Sequence, residues 1–174
     1  QKGNFPPFKN LVAFHFNAWY GWDRMHPLYT ERGTAMNLHL ETIPPCPVAK
    51  MGRTGPYGAE NAALMEKMKS WARLHSLMGA DSVLYAIAWD NPQTTQPEDC
   101  RYDVCLVLPQ GLLPPDGDMT LGRIAGGRYA VAVLPHTPEG VAEGWDQLFP
   151  ALSQLGVQPD PSRPILERYA ARMI

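Results

Sequence analysis

The strongest constraint on the fold is an order of elements that occurs twice along the chain. Asn37-Leu-His-Leu-Glu-Thr-Ile43 alternates apolar and polar residues, Pro44 and Pro45 break it, and Pro47-Val-Ala-Lys-Met-Gly-Arg53 resumes an extended run. The run ends at the turn Gly55-Pro56-Tyr57-Gly58, so this stretch reads as one long strand with a kink. Leu64, Met68, Trp71, Leu74 and Met78 then recur at steps of three or four, which predicts an amphipathic helix over 59–78 closed by Gly79. Ser82 to Asp90 follows as a strand with Tyr85, Ile87 and Trp89 on one face, and Tyr102 to Leu108 as another. The order then restarts. Met119 to Leu134 is extended and interrupted at Gly126-Gly127, and Thr137-Pro138-Glu139 opens a helix. Val141, Trp145, Leu148, Leu152 and Leu155 mark its apolar stripe up to Gly156, and Ile165 to Ala170 gives a strand. Each copy has a kinked first strand and a tryptophan, Trp71 or Trp145, on the helix stripe, as a diverged internal repeat requires. By that logic a further strand is expected after Ile174.

Residues 1–35 do not share the pattern. Phe5, Phe8, Phe14, Phe16, Trp19, Tyr20, Trp22 and Tyr29 make this segment too apolar for a free linker, yet Pro6, Pro7, Gly21, Pro27 and Gly33 leave no long helical period. Leu11 to Phe16 is the one strand candidate, and the rest reads as a tail that docks on the domain or on another copy. The expected organisation is an aromatic-rich leader, 1–35, and a folded domain, 36–174. The leader is one candidate to stand in for the expected closing strand.

Charge and composition narrow the function. The 174 residues carry 15 Lys and Arg against 17 Asp and Glu, and the basic residues are scattered, which disfavours DNA contact by this chain alone. No apolar stretch approaches the ~20 residues of a membrane helix, and no secretory signal pattern is present, so a cytoplasmic protein is expected. Cys46, Cys100 and Cys105 leave one thiol over in any disulfide scheme and match no zinc spacing. His15, His26, His39, His75 and His136 form no metal-binding pair at helical or strand spacing. Neither a metal nor a cofactor is expected.

Three stretches in order carry a family resemblance. They are Glu41-Thr-Ile-Pro-Pro-Cys-Pro-Val-Ala-Lys-Met-Gly-Arg-Thr-Gly-Pro-Tyr-Gly58, Ala88-Trp-Asp-Asn-Pro92 with Cys100-Arg-Tyr-Asp-Val-Cys105, and Gly126-Gly-Arg-Tyr-Ala-Val-Ala-Val133 with Leu166-Glu-Arg-Tyr169. From Met36 to Tyr169 the chain resembles the gyrase-inhibitor-like effector-binding domains, found as stand-alone proteins and at the C-terminus of AraC/XylS-type transcription activators. The resemblance implies an α+β fold of two strand-helix-strand-strand units with pseudo-twofold symmetry and a mostly antiparallel sheet. It also implies a cleft between the units for apolar, often cationic, small molecules, as in multidrug binding. Regulators of this kind carry a helix-turn-helix ahead of the domain, and residues 1–35 show no such pattern.

Glu167 is the first candidate for the site. Alternation places it on one face with Ile165 and Tyr169, and a carboxylate among apolar groups is costly unless it is paired or protonated. A cationic ligand would supply the charge and nearby rings would add cation-π attraction. The resemblance puts a glutamate at this place in the effector cleft, while the plainer alternative has Glu167 on the surface pairing with Arg163 or Arg168. Tyr85, Ile87, Trp89, Tyr129 and Tyr169 are expected to line the cleft from the central strands. Trp71 and Trp145 divide evenly between core and cleft wall.

The leading expectation is a non-catalytic effector-sensing domain of a transcription regulator, or a stand-alone sensor or scavenger. One alternative is a hydrolase of reactive electrophiles with Glu167 as general base beside Tyr85 or Tyr169. Another is a module that inhibits a DNA-processing partner. The oligomeric state, a homodimer included, is left open.

Overall fold

A computed structural model describes residues 9–17, 36, 38–112, 119–135 and 137–170. Residues 1–8 and 18–35 of the aromatic leader lie outside the described residues, as do 171–174.

Each predicted kinked strand is two strands. β2 (Leu38–Ile43) and β3 (Cys46–Thr54) flank the Pro44-Pro45 break, and β6 (Thr120–Ile124) and β7 (Gly127–Pro135) flank Gly126. Helix α1 (Ala59–Leu74) and strands β4 (Val83–Ala88) and β5 (Arg101–Val107) complete the first unit. Helix α2 (Pro138–Gln154), the two-residue β8 (Gln158–Pro159) and β9 (Leu166–Ala170) follow in the second. The Leu11 to Phe16 run is strand β1, Lys9–Asn17.

α1 stops earlier than its apolar pattern suggests. Ser76 takes the left-handed conformation (φ 55°) and the Leu77 amide donates to the Ala72 carbonyl at 2.8 Å, closing the helix at Leu74, short of Gly79. Its buried line runs through Met68 and Ala72, two residues or ~200° away from Leu74 on the helix wheel, which leaves Leu74 80% exposed. α2 begins as its sequence dictates: Thr137 caps it by accepting from the Gly140 amide at 3.1 Å, with Pro138 in the first turn.

The sheet runs β2-β7-β1-β9-β4-β5-β3-β6, with β8 beside β1. Its two halves mirror each other: β6-β3-β5-β4 from one side and β2-β7-β1-β9 from the other, so β1 holds the position that β5 holds in the first unit. The ladders β2/β7, β3/β5, β3/β6, β4/β5 and β4/β9 are antiparallel, and each parallel pairing involves β1. The pseudo-twofold α+β architecture implied by the resemblance is therefore present.

Both helices pack on one face. Met68 and Ala72 of α1 cover Met51, Leu84, Val104 and Leu106, while Leu148 and Leu152 of α2 cover Ala130, Ala132 and Leu134. The other face curls over a core of its own. Ile43 and Ile124, at the ends of the edge strands β2 and β6, join Val48, Tyr85, Ile87, Cys105, Tyr129, Val131 and Leu166 in a single cluster. The two kinks touch where the edges approach: a Cβ on Gly126 would lie 2.4 Å from Pro45 Cδ and 2.6 Å from Pro45 N. A proline ring and its backbone cannot swing aside, so only glycine fits there. Gly126→Ala is therefore expected to lower unfolding free energy by about 1–3 kcal/mol, measured by urea denaturation. An unchanged midpoint would mean that the kinks do not meet this closely.

Candidate functional site

The site begins with strand alternation in β9. Leu166 joins the inner core and Arg168 points to the same side, so Glu167 and Tyr169 face the helices. Opposite Glu167 on β4 stands Ala86, and beyond it Ala88 pairs with Tyr102 of β5. These small residues leave room above the sheet for larger groups from both neighbours. The Tyr169 hydroxyl donates to Glu167 Oε2 at 3.2 Å and the Tyr102 hydroxyl to the same oxygen at 3.5 Å. Tyr57, from the turn before α1, stacks tilted on Tyr102 with ring centroids 6.0 Å apart. Its hydroxyl is fixed by the carbonyls of Asp90 (3.0 Å) and Arg101 (2.9 Å).

Glu167 is half-buried, and among the described residues no cation pairs with it. Burial pushes its carboxyl up to about 7, with the Tyr169 and Tyr102 hydrogen bonds pulling the other way. Both tyrosine hydroxyls are raised well above their ordinary value, by burial first and then by the facing carboxylate. The result is a proton-poised acid flanked by two neutral donors. Tyr169 also borders the apolar clusters under both helices, so the site lies between the two units.

Arg168 shows the reverse arrangement on the other face. Its guanidinium donates to both Glu41 carboxylate oxygens, at 2.6 and 2.9 Å, across the inner side of the sheet. This fork holds the Glu41 carboxyl below its usual value. Arg168 is thereby committed to Glu41 across the sheet rather than to its chain neighbour Glu167.

The structure brings only part of the expected set together. Tyr169 contacts Glu167, and Trp71 of α1 and Trp145 of α2 are half-buried on the helix-bearing face. Tyr85, Ile87 and Tyr129 are buried in the inner core on the opposite face. Trp89 follows them to that side, where its indole donates to Asp103 at 2.7 Å. Tyr129 is held there by donating to the Ala125 carbonyl at 2.6 Å. Tyr102 was not singled out from sequence. The signal for Tyr102 is the alanine pair on β4, Ala88 opposite Tyr102 and Ala86 opposite Glu167: that face has the space, and the aromatic face is filled. Among the described residues no cluster of three His, Cys, Asp or Glu side chains could hold a metal ion.

Comparison with known proteins places the chain in a family. The model of the GyrI-like small molecule binding domain matches residues 36–173, and the chain belongs to that family. The SPbeta prophage-derived protein YosT of Bacillus subtilis (strain 168), named as a transcriptional regulator, is 37% identical over 142 residues, covering 80% of this chain and 92% of that protein. A DNA gyrase inhibitor of Edwardsiella ictaluri (strain 93-146) is 32% identical over 138 residues, covering 77% of this chain and 86% of the relative. A cryo-EM structure of an EcmrR-DNA complex shares the fold with a TM-score of 0.54 and 10% identity, over 67% of this chain and 44% of that one.

The raised Glu167 pKa has a direct thermodynamic consequence. A carboxyl that binds its proton more tightly when folded contributes stability below the unfolded-state pKa, and that contribution is lost as pH rises to about 7. Wild type should thus lose on the order of 2 kcal/mol relative to Glu167→Gln between pH 4.5 and pH 8, read from urea denaturation at each pH. Parallel stability curves would contradict the burial of this acid.

Proposed function

We propose that the domain binds apolar small molecules carrying a positive charge, with Glu167 as their counter-ion between the two units. The observation that carries this reading is a half-buried carboxyl that, among the described residues, is held by the hydroxyls of Tyr102 and Tyr169 and by no cation. Such a group gains most from a cation, because pairing replaces the solvation it has lost. Tyr102 and Tyr169, with Tyr57 stacked on Tyr102, supply rings near it for cation-π contact, and Trp71 packs on the same apolar cluster. Trp145, on α2, is the matching wall of the second unit. The family description as a small-molecule binding domain supports the same reading.

In a regulator the domain would serve as the effector-sensing part, since relatives are named as transcriptional regulators. DNA contact would then come from another domain or chain, and ligand occupancy must favour one conformation over another to have an effect. Cytoplasmic placement and self-association as a homodimer accompany this role. A second reading rests on the same acid: a carboxyl with pKa near 7 flanked by two hydroxyls suits a general base acting on a bound electrophile. The relatives named as DNA gyrase inhibitors raise a protein partner as a third role.

Isothermal titration with tetraphenylphosphonium separates these readings. Affinity should fall about tenfold or more in Glu167→Gln. In wild type it should rise about five- to tenfold from pH 6 to pH 8, because ionising an acid of pKa near 7 creates the binding form. An affinity independent of both pH and Glu167 would remove the cation-binding role. Turnover of an electrophilic substrate that is lost in Glu167→Gln, with binding retained, would establish the hydrolytic one.

A further inference from the structure

The inner face of the sheet carries a second set of groups that the Glu167 site does not use. In the β3/β5 ladder Lys50 stands opposite Cys105, Gly52 opposite Asp103 and Thr54 opposite Arg101. Cys105 belongs to the inner core, so alternation puts Lys50, Gly52, Thr54, Arg101 and Asp103 on that same face. Trp89 joins them from the end of β4 through its bond to Asp103. Arg53, opposite Tyr102 and bonded to Asn61 of α1, turns its guanidinium to the helix face and takes no part. The six inner-face residues line an open cavity of about 490 Å³, within the ~300–1,000 Å³ of small-molecule sites.

The indole is fixed and the charges are balanced. Asp103 is only 8% exposed, and its Oδ2 accepts from both the Trp89 indole at 2.7 Å and the Lys50 ammonium at 3.2 Å. Its Oδ1 lies over Gly52, where a Cβ would collide with it. Trp89 is therefore held in one orientation while 41% of it stays exposed. Lys50 is neutralised by Asp103, and Arg101 by Asp90 through a fork from Nε and Nη2 at 2.9 and 2.8 Å. A charged ligand would have to break into one of these pairs. A hydroxyl group need not: it donates and accepts at once, and the ammonium and the guanidinium each keep further N–H donors for it. Thr54, exposed beside Arg101, adds a hydroxyl of its own.

We propose that this cavity binds an uncharged pyranose sugar, with one face of its ring against the Trp89 indole and its hydroxyls on Lys50, Arg101 and Thr54. The axial C–H groups of a pyranose make a flat apolar face that suits an indole, while its equatorial hydroxyls point outward from the ring edge to the polar rim. An indole already fixed by Asp103 loses no rotamer freedom on binding. The ligand is uncharged, unlike the one expected at Glu167, and the two sites lie on opposite faces of the sheet.

The test follows the Trp89 indole N–H resonance of the whole chain by ¹H–¹⁵N NMR during titration with methyl β-D-glucopyranoside. The glucoside should give a saturable shift of that resonance at millimolar concentration. Glucitol, which has the hydroxyls without the ring, should give none. Thr54→Val and Lys50→Met should each weaken glucoside binding about fivefold. In both free variants the indole resonance should stay near its wild-type position, because neither residue makes the bond between Trp89 and Asp103. The proposal is overturned if the glucoside leaves the indole unshifted or if both variants bind it like wild type. It is equally overturned if glucitol, or caffeine as a flat uncharged ring without hydroxyls, binds there as tightly as the glucoside.

Discussion

The alternation of one five-residue strand organises the charges of this domain. β9 stands at the seam between the two units, paired with β4 on one side and β1 on the other. Because successive side chains point to opposite faces, Glu167 and Arg168 cannot neutralise each other although they are adjacent in sequence. Arg168 goes to the inner face, where Glu41 from the other end of the sheet meets it in a bidentate fork. Glu167 goes to the helix face, where its partners among the described residues are tyrosine hydroxyls. A register slip of one residue would exchange these environments and place an arginine among the tyrosines. The unbalanced carboxyl between the units is thus a consequence of strand geometry together with the choice of Ala86 and Ala88 beside it.

The duplicated architecture explains why such a group can be tolerated. Each unit brings its own helix and its own apolar cluster, under α1 and under α2, and Tyr169 at the seam borders both. The inner face is the shared core: its cluster draws on both units, and the Pro45–Gly126 contact joins their kinks. Stability therefore comes chiefly from surfaces away from Glu167, which leaves that position free to carry an unfavourable charge, as functional sites often do.

Much of the fold was legible in the sequence because it rests on local periodicity. The helical stripes and the turn residues gave α1, α2 and the strand order of both units, and the Gly126-Gly127 and Pro44-Pro45 breaks marked the divisions between β2 and β3 and between β6 and β7. The family resemblance extended this to the pairing of the halves. Periodicity could not supply the end of α1, which depends on a serine adopting a left-handed conformation. Nor could it fix the parallel pairing of β1 with β7 and β9, although the strand missing from the repeat made the leader a candidate for that place. In the site, Glu167 and Tyr169 were readable because they share one strand. The other wall was not: Tyr85, Ile87 and Trp89 are the conspicuous side of β4, yet it is Ala86 that faces Glu167 and makes space for Tyr102. Large aromatics mark where a core is full, and the alanines beside them mark where something else fits.

The central claim is that Glu167 is a carboxyl shifted by its surroundings into the neutral range. Its ionisation can be followed directly by ¹³C NMR of protein labelled at the glutamate side-chain carboxyl, with the resonance assigned by its loss in Glu167→Gln. A midpoint near pH 7 is expected, far above the other glutamates. A midpoint at the ordinary glutamate value, about 4.3, would contradict the account, because an acid ionised that readily is not shielded from water among the tyrosines.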